Sequence, residues 1–153
     1  MAFLLRAFVI FFAVMVASLA AGIAIAMGIL GPQWHFFSGD PVERGGFWLL
    51  AFFGASYAGA VILLPLAILI AVAETFKIRS LLAHAAAGCV VLVLGFYSSG
   101  ISRPYEESID RPPPPVSPAT ELAAAAGVVF GLVYWSIAGR NAGRWRERRQ
   151  PMA

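Results

Sequence analysis

One side chain inside the apolar stretches of this sequence stands out as able to do chemistry, the imidazole of His84. An ionisable group within hydrocarbon costs at least ~2.5 kcal/mol, so its presence asks for a reason. His84 stands four residues into the apolar run that opens at Leu81, about 6 Å along a helix axis from the end of that run. A neutral imidazole there can hydrogen-bond a neighbouring helix, pass a proton, or contact a quinone or metal. Packing is the expected role, and His84 is the one candidate for cofactor binding. A bis-histidine haem needs two imidazoles on one iron, and the only other histidine, His35, is expected across the membrane. The sequence also lacks the ligand set of a zinc site. No metal and no cofactor is expected.

Glu74 and Glu121 flank apolar runs. Glu121 follows Ser117-Pro118-Ala119-Thr120, so Ser117 or Thr120 is expected to cap a helix whose positive end Glu121 complements. Pro65 falls inside an apolar run, where its ring removes a backbone donor and strands the carbonyl of Val61, so a kink is expected nearby. Neighbouring groups commonly re-satisfy such kinks, which makes packing the plain reading; a transporter hinge is the sharper one. His84, Glu74, Glu121 and Pro65 together are the candidates for a transport path or hinge. The sequence holds no glycine-rich phosphate loop, Ser-His-Asp constellation, paired intramembrane carboxylates or cysteine pair. No enzyme activity is expected from the chain alone.

The elements that must position these residues follow from composition. Of the 153 residues, 60% are hydrophobic and only 12% charged, against about a quarter charged in soluble domains. At roughly 20 residues per span, one all-α membrane domain of four helices is expected, with spans near 7–30, 47–73, 81–100 and 122–138. The connections are 31–46, 74–80 and 101–121, and a basic tail covers 139–153. The first run also reads as a secretory signal, with Arg6 as its basic region and small residues near Ala20. Its continuation to Leu30 favours a retained helix.

Eight basic residues (Arg6, Lys77, Arg79, Arg140, Arg144, Arg146, Arg148 and Arg149) fall on one side, against Arg44, Arg103 and Arg111 on the other. The positive-inside rule then puts both termini in the cytoplasm. Ten of the eleven basic residues are arginine. With the abundance of Ala, Gly and Pro, this suggests a GC-rich bacterial genome and an inner-membrane location. The single cysteine, Cys89, permits no intrachain disulfide.

Small residues recur at helical spacing: Ser18, Gly22 and Ala26; Gly54 with Ala58 and Ala55 with Gly59; Gly127 with Gly131. In lipid, close backbone approach at such positions holds helices together. The Gly127–Gly131 pair fits packing within the chain and association with another chain equally well. Arg111-Pro112-Pro113-Pro114-Pro115-Val116-Ser117-Pro118 is expected to form an extended polyproline arm, a stiff spacer or a docking strip. In the tail, Arg140, Arg144, Trp145, Arg146, Arg148 and Arg149 are expected to anchor the chain among anionic headgroups, and no nucleic-acid partner is expected.

These features favour a small non-enzymatic inner-membrane protein acting by lateral association, as an accessory subunit or assembly factor of a membrane complex or as a homo-oligomer. A small oligomeric transporter or channel is the alternative. A quinone- or haem-associated electron-transfer subunit is the third reading, resting on His84.

Overall fold

The fold is described for residues 2–30, 40–99 and 116–143 of a computed structural model. Those residues form α1 (Ala2–Leu30), α2 (Pro41–Phe76), α3 (Leu81–Ser98), α4 (Pro118–Ile137) and a short 3-10 turn, Gly139–Asn141. The protein is all-helical, and the described residues contain no strand. Leu4–Leu30, Leu81–Ser98 and Pro118–Ile137 are each long and apolar enough to cross a membrane. α2 makes a fourth candidate if its two limbs, Pro41–Ala60 and Pro65–Phe76, count as one span.

The limbs of α2 meet at 66°, beside the proline expected to kink this helix. Pro65 cannot donate to the ladder and its ring crowds the preceding turn. α2 also starts six residues before the expected Phe47 and ends three beyond the expected Ala73. Asp40-Pro41-Val42-Glu43 opens the helix: proline at the first position needs no donor, and Glu43 in the first turn meets the positive end. Lys77 closes it in the left-handed region, at φ 54°, and its amide bonds back to the carbonyl of Ala73.

α3 begins at the expected Leu81 and ends at Ser98, two residues before the expected Gly100. Ser80 caps it, its hydroxyl accepting from the amide of Ala83. α4 starts at Pro118, four residues before the expected Leu122, because Ser117 and not Thr120 is the cap; its hydroxyl accepts from the amide of Thr120. Glu121 therefore lies in the first turn of α4.

Large apolar side chains face outward and small ones inward. Ala13, Ala17 and Ala21 form a fully buried stripe on α1, while Leu4, Phe8, Phe11, Phe12 and Met15 of the same helix are exposed. Phe52, Phe53 and Ile68 on α2, and Leu82, Val90 and Leu94 on α3, are exposed likewise. A soluble bundle would bury such residues; here alanine and glycine make up much of the interior, with Phe47, Leu66, Val91, Leu92, Phe130 and Tyr134 as its larger members, a pattern that suits lipid on the outside.

Glycines set the closest approaches. A Cβ on Gly127 would meet the carbonyl carbon of Gly88 at 2.8 Å and the Cα of Cys89 at 2.7 Å; one on Gly131 would meet the Cα of Ala85 at 2.8 Å. Gly127 and Gly131 thus seat α4 directly on the backbone of α3, a contact within the chain. Gly88, which the spacing analysis did not single out, is its partner on α3. A Cβ on Gly22 would meet the amide of Ala55 at 2.6 Å, and Gly54 faces Gly22 across the same α1–α2 contact. Gly59 lies near the hydroxyl of Ser18, at 3.9 Å from its would-be Cβ.

Candidate functional site

Polar side chains converge at one end of the bundle, where the start of α1, the end of α2, the start of α3 and the turn after α4 meet. Arg6, one turn into α1, donates from Nε to Glu74 Oε1 at 2.9 Å, with a second guanidinium nitrogen on the same oxygen. That nitrogen also donates to the carbonyl of Ala138 at 2.9 Å. The other oxygen of Glu74 accepts from the amide of Gly143 at 2.9 Å. Both partners are nearly buried, with side chains 11% and 12% exposed. One ion pair therefore ties α1, α2 and the chain beyond α4 together. Its bonds to backbone groups offset the cost of removing both charges from water.

The turn after α4 is held from the other side as well. Arg79 donates from Nε to the carbonyl of Ala142 at 3.0 Å, and Trp135 donates from Nε1 to the carbonyl of Arg79 at 2.8 Å. Arg140 donates back to the carbonyl of Ser136, and its guanidinium lies 5.4 Å from the centre of the Trp135 ring. Gly143 takes φ +74°, a conformation open to glycine, and a Cβ there would strike Lys77 Cγ at 2.6 Å. The turn is thus clamped against the α2–α3 connection.

His84 lies inside this end of the bundle, 8% exposed. Its Nδ1 is 2.8 Å from the carbonyl of Ser80, which can only accept, so Nδ1 carries a proton. The ring stacks on Tyr134, with centres 5.8 Å apart and planes at 25°. Nε2 is buried with no hydrogen-bond partner among the described residues. Beside it sits Gly139, where a Cβ would stand 2.9 Å from Nε2. In the neutral ring Nε2 is an acceptor, and an unsatisfied buried acceptor costs about 1–3 kcal/mol.

Two spaces flank the second limb of α2. A cavity of about 180 Å³ lies on its α3–α4 side, walled by Leu69, Ala73, Ala87, Phe130 and Tyr134, with His84 at its edge. A larger groove of about 480 Å³ lies on its α1 side, between Ile10 and Val14 of α1 and Ala67 and Ala71 of α2, with Arg6 and Glu74 at one end. Leu66 and Ile70 line both, so this limb is a partition with space on either side.

The four candidates for a transport path do not form one cluster. Glu74 and His84 share one end of the bundle. Glu121 is exposed in the first turn of α4, about 20 Å along the axis from Tyr134, and Pro65 is exposed at the bend. Among the described residues, no three His, Cys, Asp or Glu side chains gather as a metal site requires. Cys89 is a free, half-buried thiol on α3.

Several expected features lie outside the described residues: His35, residues 111–115 of the polyproline arm, and Arg144, Trp145, Arg146, Arg148 and Arg149 of the tail; the arm's expected end is corrected, since Ser117 caps α4 and Pro118 opens it. The Arg6–Glu74 pair went unread in the sequence, where Arg6 served only as a topological charge. The available signal was that the two opposite charges flank neighbouring spans on the same expected side. No protein family, curated protein or solved structure matches this chain.

Proposed function

We propose that this chain is a small, non-enzymatic protein of a bacterial inner membrane, with both termini in the cytoplasm. In this reading it works by lateral association, as an accessory subunit or assembly factor of a larger membrane complex. The observation that carries the reading is how its polar groups are used. Glu74, the acidic group nearest the interior, has both oxygens engaged, one by Arg6 and one by the amide of Gly143. Arg6 in turn holds the carbonyl of Ala138. A path for ions or protons needs groups free to exchange partners, whereas these lock helix ends together. Broad outward faces of Phe, Leu and Ile then offer contact to lipid and to neighbouring spans. The gathering of Arg6, Arg79 and Arg140 at one end supports the cytoplasmic assignment of that end.

Deletion of the gene tests the reading. A membrane complex resolved by native electrophoresis should lose mass or abundance in the deletion strain and recover on re-expression. An unchanged set of complexes would count against it.

A second reading, a small oligomeric transporter, draws on the 66° bend and the space on both sides of the limb after it. Flux in proteoliposomes that persists unchanged after separate replacement of Pro65, His84, Glu74 and Glu121 would remove that path.

A further inference from the structure

The groove between α1 and the second limb of α2 is graded along its length. Its walls are apolar, with Ile10, Phe11 and Val14 on α1 and Leu63, Ala67 and Ile70 on α2, while one end carries Arg6, Glu74 and Thr75. Phe11 and Leu63 on its flanks are 65% and 62% exposed, so it opens sideways from the bundle into the surroundings of the helices. The groove lies beside the limb that follows the 66° bend, and at its polar end Arg6 of α1 and Glu74 of that limb reach across to each other.

A space that is apolar along the span and polar only at its end matches an amphiphile with its tail parallel to the helices and its head at the interface. Shape narrows the occupant. From Arg6 to Val14 the groove runs about 12 Å along α1, and its apolar walls and open side admit an extended hydrocarbon chain lying parallel to the helices. Charge narrows it further. The described charged groups at this end are Arg6, Lys77, Arg79 and Arg140 against Glu74, with the imidazole of His84 beside them. A headgroup here meets a net positive field, which favours anionic lipid.

We propose that this groove binds one acyl chain of an anionic phospholipid from the surrounding bilayer, with its phosphate at the level of Arg6. The bound chain fills the groove and supports the second limb of α2 on its α1 side. The inference is independent of the accessory-subunit reading, since a lipid site suits a transporter equally.

The test uses the full chain in nanodiscs containing a small fraction of phosphatidylglycerol with a photoreactive diazirine in its acyl chain, and in parallel the matching phosphatidylcholine. Labelled residues are mapped by mass spectrometry. Labelling should concentrate on Ile10, Val14, Leu63 and Ala67, and phosphatidylglycerol should exceed phosphatidylcholine by about fivefold or more, the factor one basic residue at the surface confers. Ala67→Trp, which fills the groove, should abolish this labelling, while Leu94→Trp on the exposed face of α3 should leave it unchanged. Ile10→Trp fills the groove from the opposite wall and serves if Ala67→Trp does not fold. Equal labelling by the two lipids, labelling spread evenly over the outward faces, or groove labelling that survives both tryptophans would overturn the proposal.

Discussion

Replacing Glu74 by Gln should be among the most damaging single changes in this protein, although it removes one charge and almost no volume. The variant loses the carboxylate on which Arg6 places two donors. It also weakens the acceptor for the Gly143 amide. Arg6 would keep the carbonyl of Ala138 but would hold an unneutralised guanidinium in a site only 11% exposed. Breaking a buried pair by removing one partner costs about 3–5 kcal/mol, against ~0–1 for an exposed pair. Part of the charge still reaches the interface, so the lower end, about 3 kcal/mol, is expected. In a chain of this size that corresponds to a fall in Tm of roughly 6–12 °C.

A double-mutant cycle separates the pair from its surroundings. Glu74→Gln, Arg6→Gln and the double variant are compared by thermal unfolding in one detergent, with labelling of the single thiol, Cys89, as a second probe of packing. The double variant should be more stable than the sum of the single losses by about 2 kcal/mol, because it leaves no buried charge behind. Strictly additive effects, or single losses below ~0.5 kcal/mol as at an exposed pair, would refute the claim that this pair ties three elements together.

Further substitutions probe helix packing, helix propensity, capping and His84. Gly127→Val should cost at least about 1–3 kcal/mol through overpacking, because its Cβ would collide with the backbone of Gly88 and Cys89; unchanged unfolding would mean that α3 and α4 do not meet there. Gly45→Ala, at a helical position with nothing within 4 Å of the new Cβ, should instead stabilise by about 0.5–1 kcal/mol in the same assay. Ser117→Ala should cost roughly 0.5–2 kcal/mol by removing the cap of α4, and Thr120→Val less. His84→Phe keeps the stacking surface but removes both the Nδ1 bond to Ser80 and the unsatisfied Nε2, two opposing effects, so stability should change by less than ~1 kcal/mol; a much larger loss in thermal unfolding would refute that balance.

Helix number, helix class and the place of the bend were legible in the sequence because each rests on local signals: apolar run length, the absence of alternation, and Pro65 with its missing donor. The small-residue spacing of Gly22, Gly54, Gly127 and Gly131 pointed to contacts for the same local reason. It did not say which helix each would meet. Gly88 has no small partner four residues away in the pattern sought, so its contact with Gly127 emerges only when α3 and α4 are docked.

The start of α2 was misread because Pro41, Arg44, Gly45 and Gly46 look like a connection by propensity. Proline at the first helical position and Glu43 in the first turn outweigh the two glycines. The ion pair joins residues 68 apart in sequence, and no helical periodicity relates them. The groove beside α2 likewise has walls from two helices far apart in sequence. The orphaned nitrogen of His84 depends on which ring atom Ser80 takes, which spacing alone does not decide.

Lateral association is read out by the composition of the complex in which the chain is found. The tagged chain, expressed at native level and extracted from its own membrane in mild detergent, would be purified and its partners identified and counted by mass spectrometry. A membrane protein recovered in fixed stoichiometry with this chain is the predicted result. Recovery of the chain alone, as one defined oligomer that moves a solute in proteoliposomes, would contradict it.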